Sequence, residues 1–214
     1  ALTSLGYAFL VEALDDEKVP AWRPPPRVRV GELTHLDVLN RYRIALAQGV
    51  AATGGTLVRF APDWELRSEA PQADLIPDAA VVIAFPSGRL ELAVEIDAGT
   101  MPPTVVAKKV EKYETHRMMR TPVFGLAAPR VILVAVTPRR ARSLARGLRG
   151  STASGIVLMG AVPFVFEDGG LTKGFTSVGT LADRKGALTE ADFSMGILRS
   201  GKRQAAIARP TATG

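Results

Sequence analysis

The stretch LIPDAAVVIAFPSGRLELAVEIDAGT, from Leu75 to Thr100, constrains the fold of this chain more than any other. Its two apolar runs, AAVVIAF and LELAVEID, have strand length, and the short turn segment PSGR between them makes the pair an antiparallel hairpin. A third run, RVILVAVT, is apolar throughout and β-branched, the pattern of a strand covered on both faces. Together they require a sheet with layers on both sides. The hairpin also carries acids at one end: Asp78 opens its first strand, and Glu95 and Asp97 close its second. A hairpin with a purely structural duty has no need of them.

The rest of the chain supplies the layers. GELTHLDVLNRYRIALAQGVAATGG places Leu33, Leu36, Leu39, Ile44, Leu46 and Val50 near helical spacing, with Thr34 as N-cap and Gly54-Gly55 as stop. TLVRFAPDWELRSE reads as a strand broken at Pro62. After Pro102-Pro103, TVVAKKVEKYETHRMMR is helical, its prolines tolerated in a first turn where their missing donors cost nothing. PRRARSLARGLRG is a second short helix, and GIVLMG and VPFVFED supply one or two further strands. This order predicts an α/β fold, a mixed central sheet flanked by helices, and excludes a barrel or a helical bundle. The prolines at 24–26 mark an extended connector. The expected divisions are therefore an N-terminal segment with its Pro-rich linker (1–26), a core (27–168), and a C-terminal extension with a flexible basic tail (169–214).

Composition narrows the chemistry. The absence of cysteine excludes a disulfide framework and thiolate metal sites, and two histidines argue against a histidine-built site, so any metal would be held by oxygen. Nothing approaches the ~18 apolar residues of a membrane span, and no signal-peptide pattern opens the chain, which leads to the expectation of a cytoplasmic protein with no membrane partner. The 27 Lys and Arg against 21 Asp and Glu leave a net +6, which favours an anionic partner. Arg139, Arg140, Arg142, Arg146 and Arg149 crowd one short helix whose apolar side is Ala141, Leu144, Ala145 and Leu148, and are candidate contacts to DNA phosphates. Arg199, Lys202, Arg203 and Arg209 add charge in the tail. A solvated helix face explains the same arginines.

Residues two apart on a strand share a face, so Glu95 and Asp97 point together while Ile96 points into the opposite packing. Clustered carboxylates repel unless a cation neutralises them, and hard oxygen donors suit Mg²⁺ or Mn²⁺. Pairing with Arg89, Lys108 or Lys109 would satisfy the same acids without a metal.

IPDAAVV followed by LAVEID resembles the PD-(D/E)XK nuclease-like superfamily, whose core is a helix, a three-strand meander, a helix and a strand. More narrowly, THLDVLNRYRIAL, IPDAAVV, VEIDAGT and KKVEKY, in that order, resemble the replication-relaxation family of plasmids and other mobile elements, over about Glu32 to Thr137. The resemblance implies Asp78 and Glu95 as metal ligands, with Asp97 assisting as a third acid able to bind the metal. The lysine expected two residues after the glutamate is replaced by Asp97, so the basic group is expected from the following helix, where Lys108, Lys109 and Lys112 are available and Lys109 with Tyr113 fits best. His35 and Asn40 match the first-helix motif, although a capping or core histidine is the plainer reading. Glu32 and Glu65 are further acids within the pattern, and His116, beside Arg117 and Arg120, reads as a surface contact. LTSLGYAFLVEAL is similar to the end of a winged-helix DNA-binding domain, or is an ordinary helix packed on the core.

The resemblance thus implies DNA as partner, with a homodimer and proteins of a replication or mobilisation complex as further expectations. A Mg²⁺- or Mn²⁺-dependent endonuclease or nickase, a DNA-binding module of the same fold without chemistry, and a protein-binding scaffold remain open. Loss of the usual lysine favours the second, and retention of three mutually repelling acids favours the first.

Overall fold

The computed structural model describes residues 30–198 apart from 163 and 168, with the side chains of 30–32 left aside. The chain divides into a unit of residues 1–34, almost all outside the described range, and a unit of residues 35–214 that holds the sheet. The readings made for the opening segment, for the side chain of Glu32 and for the basic tail therefore lie outside the described residues.

The elements are helix α1 (Val30–Ala52), strand β1 (Thr56–Pro62), helix α2 (Asp63–Glu69), strands β2 (Ala79–Phe85) and β3 (Gly88–Asp97), helix α3 (Pro103–Met118), strand β4 (Arg130–Ala135), helix α4 (Pro138–Leu148), strand β5 (Val157–Ala161), strand β6 (Phe175–Ser177) and helix α5 (Val178–Asp183). Two 3₁₀ turns, Thr152–Ile156 and Glu190–Phe193, complete them. The six strands lie side by side in chain order. β1, β2 and β3 form an antiparallel meander, β3, β4 and β5 run parallel, and β6 returns antiparallel on the far edge. The expected α/β fold with a mixed sheet is what forms.

Topology follows from the sequence pattern. Phe85 pairs with Gly88, so the hairpin turn is only Pro86-Ser87, which fixes the register that carries Ala79 opposite Val94. All six residues of β4 are buried, as its unbroken apolar run requires between two parallel neighbours. Parallel pairs need helical crossovers, and with one hand of crossover α3 and α4 fall on the same face of the sheet. There Val106, Ala107, Val110 and Tyr113 of α3 and Ala141, Leu144, Ala145 and Leu148 of α4 pack on Ala80, Ala93, Val131 and Leu133. Each fully buried leucine is worth about 2 kcal/mol of transfer. The opposite face is covered by Val38, Leu39, Tyr42, Leu46 and Val50 of α1, which meet Val81, Ile83, Leu92, Val94, Ile96 and Ile132.

Several expectations are corrected. α1 begins at Val30, ahead of the expected cap at Thr34, and its buried stripe excludes Leu33 and Ile44, which are exposed. The strand broken at Pro62 is a strand followed by a helix: Pro62 ends β1, and Asp63 and Glu65 in the first turn of α2 favour a helical start. Of VPFVFED, the described residues 162 and 164–167 form no strand; Phe164 and Val165 lie in turns, where Phe164 packs on Phe193 with ring centroids 5.0 Å apart and Val165 enters the core on the α1 face. The outer strand is Phe175–Ser177, bonded to β5, so the segment after residue 168 supplies one edge of the sheet.

Candidate functional site at the carboxyl end of β3

Glu95 and Asp97 close β3 on the face covered by α3 and α4, while Ile96 between them faces the α1 layer. Ligand sites in open α/β sheets favour the carboxyl ends of parallel strands, and β3 ends here beside β4. Asp78 joins them where the β2–β3 ladder runs out. Its N–H donates to the Val94 carbonyl at 3.0 Å, and its Oδ2 accepts from the Ile96 N–H at 2.7 Å, so the carboxylate lies against the segment that carries Glu95. His35, on α1, brings Nε2 to 3.6 Å from Asp78 Oδ1. The plainer capping or core reading of His35 therefore gives way to a place beside the acids. Asn40 is exposed on the same helix.

Glu95 is 5% exposed and has a partner on each oxygen: Lys109 Nζ donates to Oε2 at 2.5 Å, and Tyr113 Oη donates to Oε1 at 2.5 Å. Both partners come from one face of α3, four residues apart. Burial, followed by the charge of Asp78, pushes the Glu95 carboxyl up to about 8, with Lys109 and Tyr113 pulling the other way. For Lys109, burial acts to lower the pKa, but Glu95 and then Asp78 outweigh it and raise it. Burial and the neighbouring Glu95 hold the Tyr113 hydroxyl well above its ordinary range. Of the three candidate lysines, Lys109 is the one aimed at the acids. Lys108 is exposed, and Lys112 donates to the Asp74 carbonyl at 2.8 Å. Tyr113, matched with Lys109 by the resemblance, reaches the same carboxylate through its hydroxyl.

Asp97, 1% exposed, is held by Arg140 in a bidentate pair, Nε to Oδ1 at 2.7 Å and Nη2 to Oδ2 at 2.9 Å. Local structure dictates this. Thr137 caps α4 by accepting the Arg140 N–H at 3.1 Å, which puts Arg140 in the first turn, over the end of β3. Gly99, with φ of 84°, lets the chain turn so that its N–H donates to Asp97 Oδ1 at 2.8 Å. Arg140 also donates to the Met101 carbonyl. Between these groups lies a cavity of about 30 Å³ lined by Glu95, Asp97, Met101, Val105, Lys109 and Leu133. It has room for roughly two water molecules.

The other candidates separate. Arg142 donates to the Gly186 carbonyl at 2.5 Å and Arg149 pairs with Asp183 at 2.6 Å, whereas Arg139 and Arg146 are exposed. Arg89 pairs with Glu91 at 3.1 Å, Glu65 is exposed, and His116 meets Asp74 at 3.4 Å. Sequence reading missed Arg140 as the partner of Asp97 and Arg67 as a neighbour whose charge is felt at Lys109. A helical reading of DWELRSE was the one signal that could have found Arg67.

Two carboxylates with no soft donor beside them fit a hard divalent cation, and a carboxyl whose pKa is raised by burial and by the charge of a neighbouring carboxylate fits it further. Among the described residues no cluster of three or more His, Cys, Asp and Glu side chains is placed to hold a metal ion. An ion at Asp78 and Glu95 would complete its shell from water and phosphate, as Mg²⁺ commonly does. Among the described residues, no helix is long and apolar enough to cross a membrane.

Comparison with curated proteins and with solved structures gives no match. The family model described as replication-relaxation matches residues 1–123, which takes in the opening segment, the meander with Asp78 and Glu95, and α3 with Lys109 and Tyr113. The chain belongs to the replication-relaxation family.

Proposed function

We propose that this chain acts on DNA in the replication or mobilisation of plasmids or other mobile elements, and that the rim at Asp78, Glu95 and Lys109 is a divalent-cation-dependent site for opening a phosphodiester bond. The family membership supports the setting. The order of helix, three-strand meander, helix and parallel strand supports a PD-(D/E)XK-like core. The observation that carries the chemistry is Lys109 Nζ at 2.5 Å from Glu95 beside Asp78, a lysine supplied from α3 where the superfamily's strand position holds Asp97.

Asp78 and Glu95 would hold Mg²⁺ or Mn²⁺, which when bound polarises a phosphodiester and neutralises charge developing on its oxygens. Tyr113 and Lys109 fix the Glu95 carboxylate in one orientation, and the Ile96 N–H fixes Asp78. The Lys109 ammonium, held protonated by the two acids, offers a fixed positive charge to the reacting phosphate. Asp97 acts through Arg140, tying the end of β3 to α4. Arg139 and Arg146, exposed on that helix, are the arginines open to backbone phosphates.

Supercoiled plasmid incubated with the protein and Mn²⁺ should give nicked circles, and Asp78→Ala should abolish them. A second reading has its own observation: Glu95 and Asp97 are already satisfied by protein groups, as in a DNA-binding module without chemistry. Under that reading, salt-sensitive DNA binding persists without metal and no nicking occurs at any metal concentration.

A further inference from the structure

The short helix α2 stands beside the carboxylates with no part in the chemistry above. The Asp63 N–H donates to the Asp78 carbonyl at 3.0 Å, which ties the first residue of α2 to the residue that brings its carboxylate to the rim. Leu66, fully buried, anchors the helix in the cluster that contains Val110 and Tyr113 of α3. The next residue, Arg67, follows the buried Leu66 on the same turn of a helix whose first residue is bonded to Asp78. Asp63, Trp64 and Arg67 share one side of the helix by their three- and four-residue spacing, and Arg67 Nε meets Asp63 Oδ2 at 3.2 Å. This side is open: the Arg67 side chain is 63% exposed and Trp64 49%. A half-exposed indole next to an exposed guanidinium matches what a nucleic-acid strand needs from its protein, a flat apolar surface and a bidentate phosphate ligand.

We propose that α2 grips the DNA strand that passes the sheet rim, with Arg67 on a backbone phosphate next to the one at Glu95 and Lys109, and Trp64 against the neighbouring sugar or base. This rests on the reading that DNA occupies the rim. Asp63 then holds Arg67 in place until a phosphate displaces it.

The chain has two tryptophans, so a Trp22→Phe background leaves Trp64 as the sole reporter. A 16-nucleotide single strand and the corresponding duplex, titrated in EDTA so that metal-dependent cleavage does not intervene, are the probes. Quenching of Trp64 emission by either probe is expected. Arg67→Ala should weaken binding about 5–10-fold and flatten the salt dependence by about 0.7–0.9 in log–log slope, Arg67→Lys should recover part of the affinity, and Asp63→Asn should tighten binding about twofold. Parent-like affinity in Arg67→Ala, or unchanged Trp64 emission at saturating DNA, overturns the proposal. The two readings fail separately. Nicking by the parent with Arg67-independent binding defeats only the α2 grip. Arg67-dependent, Trp64-quenching binding without nicking upholds the grip and defeats the cleavage reading.

Discussion

Lys109→Met is expected to lower plasmid nicking about 10²–10³-fold, the usual cost of removing one fixed charge-stabilising group, and to make stability depend more steeply on pH. In the parent, the Glu95 carboxyl is raised from its ordinary 4.5 to about 8, chiefly by burial and then by Asp78. Between those two values the folded protein keeps a proton that the unfolded chain has released, so stability falls as pH rises through that window. Lys109 is itself raised, and its contribution is present below the ordinary lysine value and lost only as pH rises past it, so it does not shape that window. Removing the ammonium leaves the buried carboxylate with one neutral partner and extends the decline above pH 8. Chemical denaturation should therefore show a small difference between variant and parent at pH 5, where Glu95 is protonated in both. The difference should grow to about 2–4 kcal/mol at pH 9. Glu95→Gln should flatten the slope altogether. An equal loss at both pH values would mean that Lys109 acts by packing alone.

Arg140→Met is expected to destabilise the fold by about 3–5 kcal/mol, because it strands a carboxylate with almost no access to water. Arg140 is one of four arginines on α4, and its neighbours supply the contrast. Arg139→Met and Arg146→Met, exposed on the same helix, should change stability by no more than about 0.5 kcal/mol. Each should instead reduce the salt dependence of DNA binding by about one unit of slope. Asp97→Asn added to Arg140→Met should recover part of the lost stability, since it removes the unpaired charge. Denaturant midpoints for the four variants check the first claim, and binding isotherms at several salt concentrations check the second.

The central elements were legible because their periods are plain. The hairpin, the two-faced strand of 130–135 and the helices after Pro102 and Thr137 each carry one unbroken pattern, and together they specify the mixed sheet. What escaped the reading was decided by tertiary packing. DWELRSE has a single buried anchor, Leu66, too little to mark a helical period. VPFVFED has the alternation of a strand, but Phe164 finds Phe193 and Val165 finds the α1-side core, so its described residues stay in turns. β6 hides in a Gly-rich segment, where Phe175 lies so close to Gly160 that a Cβ there would come within 2.6 Å of its ring.

The site divides in the same way. The strand ends put Asp78 and Glu95 at one end of the hairpin, and the family resemblance singled out Lys109 through its four-residue spacing from Tyr113. The Asp97–Arg140 pair spans 43 residues and depends on where α4 begins relative to the end of β3. Nothing local in either segment announces it. Spacing could match Tyr113 to Lys109 but not show its role; its ring is buried, and the position of its hydroxyl on Glu95 gives it a polar one.

The most direct measurement is a crystal of this protein soaked in Mn²⁺ near pH 8, with anomalous difference density recorded at the manganese edge. One peak within bonding distance of both Asp78 and Glu95, absent from Asp78→Asn crystals, is the expected result. Density elsewhere only, or none with Lys109 and Tyr113 still seated on Glu95, would contradict a cation site at the sheet rim.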